Sequence, residues 1–352
     1  MAKERLFELP ETKGLYQLKG LVTGTEKDTF YKESKTKTNK DMRKVNFGVI
    51  VEEGKTMYVT LQGMPKDNVN FSKQVKKGEK GEIVSVPWAQ RHTFNREGFS
   101  ILGLNVGLSK TVDAKGNQIN DKKKLVEFDA CNEINTSIKG KDGISVFVKG
   151  KLEYSSFNTD KGELKKSTKL VPNQISLCGD VNFSDEKFVP VHDFTQTIVF
   201  MAIDQEKVED KPTGRFIVEA KIVTYQTIED AEFIITDSKL AQLFKKNLKP
   251  YTAIEVSGKL EATTETEAVS DDCWGEENAM TKVNSPTRRE LIITGAKPTS
   301  IDTETYKKEL IEAAIVKINN ANNANADFGG KADDGWGSIT DLSSSDEEEA
   351  WS

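Results

Sequence analysis

The run Val45-Asn46-Phe47-Gly48-Val49-Ile50-Val51-Glu52-Glu53-Gly54-Lys55-Thr56-Met57-Tyr58-Val59-Thr60-Leu61 alternates apolar and polar residues on both sides of Glu52-Glu53-Gly54-Lys55. A period of two turns one face of a strand to a core and the other to solvent, and a charged, glycine-containing break between two such runs is a hairpin turn. The segment therefore reads as two antiparallel strands. Gly54-Lys55-Thr56 has the ending of a phosphate-binding P-loop, but five residues separate it from Gly48 where four are needed. It also sits in a hairpin, whereas the phosphate nest needs a strand-to-helix turn.

Working outward, residues 15–22 form a preceding strand. An irregular stretch over 65–80, with room for a short helix, is followed by strands over 81–88 and 99–106. Three strands, an irregular insert and two further strands match the order of an OB-fold barrel, with an SH3-like barrel as the main rival. We place this first, OB-fold-like domain at residues 1–110 and read the lysine-rich stretch 110–124 as a linker. Strands recur at 144–154, 164–177, 195–203, 215–225 and 231–236. A helix follows, capped by Asp237, with Leu240, Leu243, Phe244 and Leu248 on one face and Pro250 at its end. Strands at 253–260 and 290–294, separated by an acidic loop over 261–277, and a last helix from 303 to 319 behind Asp302 complete a second β-rich, OB-like domain at 125–320. The fold class is mainly β. Val148-Lys149-Gly150-Lys151-Leu152-Glu153 and Val256-Ser257-Gly258-Lys259-Leu260-Glu261 echo one another, which is weak evidence of duplication by itself.

A length of 352 residues suits two domains with real cores. The net charge of −6 hides a strong polarity. Residues 1–172 carry 32 Lys/Arg against 22 Asp/Glu, residues 173–327 carry 17 against 27, and residues 328–352 carry one against seven. A basic front with an acidic back points to a polyanion-binding protein. Residues 321–352 read as a disordered acidic tail ending in Asp346-Glu347-Glu348-Glu349-Ala350-Trp351-Ser352, rich in glycine and serine and available to a partner. No apolar run is long enough to cross a bilayer, and Met1-Ala2-Lys3-Glu4-Arg5 leads into no signal-peptide core, so a cytoplasmic location is expected. Cys131, Cys178 and Cys273 are odd in number and lack metal-ligand spacing, which suggests reduced thiols.

Signals for catalysis are poor. His92 and His192 are isolated, and the pairs Asp271-Asp272 and Asp333-Asp334 read as solvated loop charge. We expect no enzyme activity, metal or cofactor.

Signals for binding are better. In an OB barrel the connection between strands one and two would hold Phe30, Tyr31, Lys32, Lys35, Lys37, Arg43 and Lys44. The connection between strands four and five would hold Trp88, Arg91, Phe94 and Arg96. OB-folds clamp oligonucleotides with these two loops, where cations follow phosphates and aromatic faces stack on unpaired bases of any identity. A duplex offers no free base face, so the mixture favours single strands. Trp88, Phe94 and Phe99 read equally well as core. Tyr58 and Phe47, on strands two and three, fit the same face or the core. Lysines beyond residue 110, among them Lys123, Lys124, Lys149, Lys151 and Lys166, would extend the basic track.

With its basic, aromatic OB-type front, second β-rich domain and acidic tail ending in an aromatic, the chain resembles the single-stranded DNA-binding proteins of bacteriophage replication, and more loosely the bacterial ones. That resemblance implies a non-enzymatic protein that coats single-stranded DNA without sequence preference during replication, recombination or repair. It also implies recruitment of replication or recombination proteins through Asp346, Glu347, Glu348, Glu349 and Trp351. The bacterial tail ends in Pro-Phe where this one has Trp351-Ser352. The competing reading is a structural or assembly protein with an acidic interaction tail.

Overall fold

The computed structural model describes residues 5–36, 38–73, 81–158, 164–208, 210–264 and 287–327 and is mainly β. It contains two compact units that interleave in sequence. One is built from residues 15–153 and 168–192, the other from the described parts of 1–14, 154–167 and 193–352. These differ from a division at 110 and 125. The lysine-rich stretch is no bare linker, because it forms short strands within the first of these units, and the chain returns to each unit after leaving it.

In the first unit the chain forms β1 (Gly14–Thr23), β2 (Tyr31–Lys35), β3 (Asp41–Glu52), β4 (Lys55–Gly63), β5 (Asn68–Lys73), β6 (Ile83–Pro87), a 3-10 turn (Trp88–Gln90) and β7 (Phe99–Ile101). It continues through β8 (Leu104–Gly107), β9 (Lys110–Val112), β10 (Gln118–Asn120), β11 (Lys123–Leu125), helix α1 (Glu127–Ile138), β12 (Ser145–Asn158) and β13 (Leu164–Leu177), the described ends of β12 and β13 between 154 and 167 belonging to the second unit. β1 pairs antiparallel with β3 and with β12, and β3 pairs with β4. β13 pairs with β12 and, in parallel, with β4, Leu170 standing opposite Val59. A five-stranded barrel in which strand one pairs with two and four, and strand three pairs in parallel with five, has OB-fold connectivity. Its five strands are therefore β1, β3, β4, β12 and β13, with α1 as the helix between strands three and four. The expectation that residues 81–88 and 99–106 supply strands four and five is corrected. β5, β6 and β7 form a separate three-stranded sheet, and β8 pairs with the outer edge of β13.

α1 escapes the sequence reading for a physical reason. Its N-cap is Val126, which has no side-chain acceptor, and its body EFDACNEINTSI is rich in poor helix formers. Tertiary packing supports it: Ala130, Cys131, Ile134 and Ile138 are buried against the barrel, and Glu127 and Asp129 in its first turn suit the helix dipole. The barrel core is filled by Tyr16, Leu18, Val22, Val45, Phe47, Val59, Leu61 and Val148.

The second unit comprises β14 (Val191–Val208), β15 (Lys211–Val223), β16 (Ile228–Ile235), α2 (Ser238–Asn247), β17 (Thr252–Thr264), β18 (Thr287–Asp302) and α3 (Lys308–Asp327). β14 pairs with β15 and β17, β15 with β16, and β17 with β18. β16 and β18 close the barrel in parallel, Ile234 opposite Ile292. This is the same connectivity, with α2 as the helix between strands three and four. Asp237 caps α2 as expected, accepting the Lys239 amide at 2.8 Å. Of the expected apolar face Phe244 and Leu248 are buried, whereas Leu243 is exposed. Asp302 caps the turn ahead of α3, accepting the amides of Glu304 and Thr305. α3 begins and ends later than the sequence suggests. The N-terminal residues belong to this unit. Phe7 and Leu9 pack with Val199, Val223, Tyr306, Ile311 and Ala314, Thr12 bonds both ways with Val223, and the Tyr306 hydroxyl donates to the Pro10 carbonyl at 3.2 Å.

The two echoing hexapeptides occupy strand four of their respective barrels. Gly150 on β12 stands opposite Tyr16 on β1, and Gly258 on β17 stands opposite Phe194 on β14. A Cβ on Gly150 would fall 2.0 Å from the Val171 carbonyl oxygen, and one on Gly258 would fall 1.8 Å from that of Ile292. Each glycine lets strand five approach strand four beneath a large aromatic. Shared connectivity, shared sequence and a shared glycine function together support an internal duplication.

Candidate functional site

The outer face of the first barrel follows from its alternation. Val45, Phe47, Val49 and Val51 on β3 and Met57, Val59 and Leu61 on β4 are buried, which turns Lys44, Asn46 and Gly48, and Tyr58, Thr60 and Gln62, outward. Gly48 pairs with Tyr58, and a Cβ there would lie 3.5 Å from Tyr58 Cε1 and 2.7 Å from the γ-methyls of Thr23 and Thr56. The absent side chain thus makes a floor beneath a half-buried tyrosine ring. Thr60 Oγ1 donates to Asn46 Oδ1, stiffening the next row. Lys44 stands opposite Gln62 on one side and Lys32 on the other. On β1, Lys19 faces outward between buried Leu18 and Gly20, and Lys149 and Lys151 on β12 are exposed. Lys19 is absent from the sequence candidates, although the alternation of β1 reveals it.

Other candidates do not join this face. Phe30 is 1% exposed and belongs to the core, so it has no ring face to offer. Tyr31 and Arg43 lie on the opposite side of their strands. The Tyr31 hydroxyl donates to Glu33, Arg43 Nε lies 3.0 Å from the same carboxylate, and the Arg43 guanidinium lies 4.0 Å from the Phe128 ring centroid on α1. Burial and the bond to Glu33 push the Tyr31 hydroxyl up to about 12, while the Tyr31 bond and the Arg43 charge hold Glu33 below its ordinary range. Lys35 is exposed and sits 3.8 Å from Asp41. Lys37 lies outside the described residues.

Residues 88–99 are not the connection between strands four and five. That connection is 159–163, outside the described residues. The aromatics of this insert build its own small core. Phe94 packs on Phe71 at 4.6 Å between centroids, and Trp88 meets Phe128 edge-on at 5.9 Å. Arg91 grips Asp129 with two bonds of 2.7 and 3.0 Å, donates to the Trp88 carbonyl at 3.0 Å, and lies over the Trp88 ring. Only 14% of its side chain is exposed. A guanidinium fork already matched to a carboxylate has its planar donor pair spent. Arg96 pairs with Glu82 at 2.8 Å and lies over Phe99, but remains exposed.

The corresponding face of the second barrel has the opposite charge. Glu219 on β15 pairs across the ladder with Glu232 on β16, and Lys221 is held by Asp230 at 2.7 Å. Lys166 reaches Glu232 at 2.8 Å, and Ser156 donates to Glu229 at 2.6 Å. The bond to Glu232, reinforced by the charges of Asp230 and Glu219, raises the Lys166 ammonium above its ordinary value. Lys166 is thus committed to an acidic surface and is no part of a basic track.

The tail positions Asp346, Glu347, Glu348, Glu349 and Trp351 and Cys273 lie outside the described residues, as does the expected acidic loop over 261–277 from residue 265 on, residues 261–264 belonging to β17. Among the described residues no three His, Cys, Asp or Glu side chains are grouped to hold a metal, and no helix is long and apolar enough to cross a membrane.

No curated protein matches the sequence. Among solved structures, the chain is similar to the single-stranded DNA-binding protein from Thermus aquaticus. The wild-type crystal structure matches at 10% identity and a TM-score of 0.38, covering 82% of this chain and 93% of that one. A deletion mutant of the same protein matches at 10% identity and a TM-score of 0.39, covering 82% and 94%. A family model described as YorF matches residues 73–329, nearly three-quarters of the sequence, and the chain belongs to the YorF family.

Proposed function

We propose that this protein binds single-stranded DNA without sequence preference through the outer face of its first OB barrel, coats it during replication or recombination, in a bacteriophage setting, and engages partner proteins through its acidic tail. One observation carries the reading: Tyr58 lies over Gly48 on the β3–β4 face, in the same surface as Lys32 and Lys44. This is the face on which OB-folds take oligonucleotides. A flat ring with lysines two rows along the same ladder suits a strand whose bases are free to stack and whose phosphates release counterions on binding. Lys19, Lys149 and Lys151 continue the positive charge around the same barrel.

Titration of the full chain with oligo-dT and with a random duplex, each at two salt concentrations, tests the reading. Tight binding of the single strand, falling steeply with salt, with much weaker binding of the duplex, is the expected result. Equal binding to both, or to neither, would falsify it.

A further inference from the structure

The chain between β13 and β14, residues 178–190, forms no helix or strand, yet it is held in a defined shape. The amide of Ser184 bonds the Asn182 side chain at 3.0 Å, that of Lys187 bonds the Asp185 side chain at 2.9 Å, and the backbone closes turns at Asp185 and Phe188. Ordered loops of this length without secondary structure are uncommon and are usually functional. This one presents two half-buried aromatics, Phe183 and Phe188, packed edge to face at 5.3 Å. Lys19 on β1 lies 6.0 Å from the Phe188 ring centroid. Asp180, Asp185 and Glu186 outweigh Lys187, so the loop itself attracts no polyanion, and what it adds beside Lys19 is ring surface.

Lys19 and Tyr58 belong to one barrel and are linked through β1, where Lys19 pairs with Phe147 on β12 and the following residues of the strand pair with β3. Thr23, four residues along β1 from Lys19, stands opposite Gly48, which stands opposite Tyr58. At the end of β3 the Glu52 carboxylate is occupied by Lys55 at 2.8 Å and His192 at 3.3 Å. We infer that Phe188, supported by Phe183, is a second stacking platform for the same single strand, with Lys19 holding the phosphate backbone between it and Tyr58. The inference rests on the proposed function of the β3–β4 face, and it places the strand's path across β3 and β1 instead of through residues 88–99.

The test compares wild type, Phe188→Leu, Phe188→Trp and Lys19→Gln in binding to a series of oligo-dT lengths. Leucine keeps the apolar contact with Phe183 and removes the aromatic face. Phe188→Leu is expected to weaken binding of long oligonucleotides about fivefold or more. It should leave the salt dependence unchanged and spare the shortest oligonucleotide that still binds. Phe188→Trp should restore affinity and add fluorescence quenching, and Lys19→Gln should reduce the salt slope. If wild type binds single strands but Phe188→Leu is unaffected at every length, or equally weakened at every length, this inference fails while the proposed function stands. If wild type does not bind, both fail.

Discussion

Tyr58 and Arg91 are both sequence candidates for nucleic-acid contact, and their surroundings differ: Tyr58 is on an outer face, whereas Arg91 is held by Asp129. The Tyr58 ring lies over a glycine on an outer face, so truncating it removes a stacking surface and uncovers little core. Tyr58→Ala is expected to cost about 1–3 kcal/mol of single-strand affinity, with the melting temperature nearly unchanged. Calorimetry alongside a binding titration reads both effects. Arg91 is largely buried, and its removal leaves Asp129 without its fork. Arg91→Ala should lower stability by about 3 kcal/mol in a denaturant titration, and the fraction that remains folded should bind DNA as wild type does. An Arg91 variant that loses affinity at full stability would return residues 88–99 to the interface. Residue type and local charge do not distinguish these two positions in the sequence. The distinction comes from α1, which delivers Asp129 to Arg91 and Phe128 to Arg43.

At the scale of elements, the second barrel is legible almost strand by strand, because its alternating runs, the Asp237 cap and Pro250 fall in order with no inserted element among the described residues. The first barrel is misread because β6, β7 and β8 offer genuine strands where the fourth and fifth are expected, β5 is a strand in the stretch read as irregular, and α1, lacking a capping side chain, gives no sign that strand four is still to come. The proposed binding face suffers less, since Lys32, Lys44 and Tyr58 sit on or beside the hairpin whose alternation is clearest. The hexapeptide echo gains meaning only from its position. Gly150→Ala and Gly258→Ala should each cost about 3 kcal/mol, because the added methyl meets a strand-five carbonyl in either barrel. Unequal effects in thermal melts would weaken the case for duplication. The connection between α1 and β12 carries a pH-sensitive anchor. Burial raises the Asp142 carboxyl, but bonds from the Thr25 hydroxyl and the amides of Thr25 and Gly24 outweigh it and hold the group below its ordinary range. A depressed folded value contributes stability above the ordinary aspartate value of about 4 and loses it as pH falls through the folded value. Asp142→Asn should therefore cost about 1 kcal/mol near neutrality, after solvent screening, and nothing once Asp142 is protonated. A stability difference that persists in acid would contradict this assignment.

The whole molecule is two barrels of one connectivity with opposite outer faces, lysine and tyrosine on the first and paired acids on the second. Its sequence is interleaved, so the units cannot be separated by a single cut. Deleting residues 1–10 removes Phe7 and Leu9 from beneath α3 and should destabilise the second unit by roughly 3–6 kcal/mol. Hydrogen exchange should then rise in residues 193–327 while single-strand affinity holds. Removing residues 333–352 takes away all seven side-chain carboxylates after residue 327 and should leave DNA binding equal or stronger. A marked loss would make the tail part of the binding surface. The most direct measurement is photo-crosslinking of a 5-iodouracil-substituted single strand to the full chain, with the adducts mapped by mass spectrometry. We predict adducts at Tyr58 and its neighbours on β3 and β4. Adducts confined to Trp88 and Phe94, or to the β15–β16 face of the second barrel, would contradict the account.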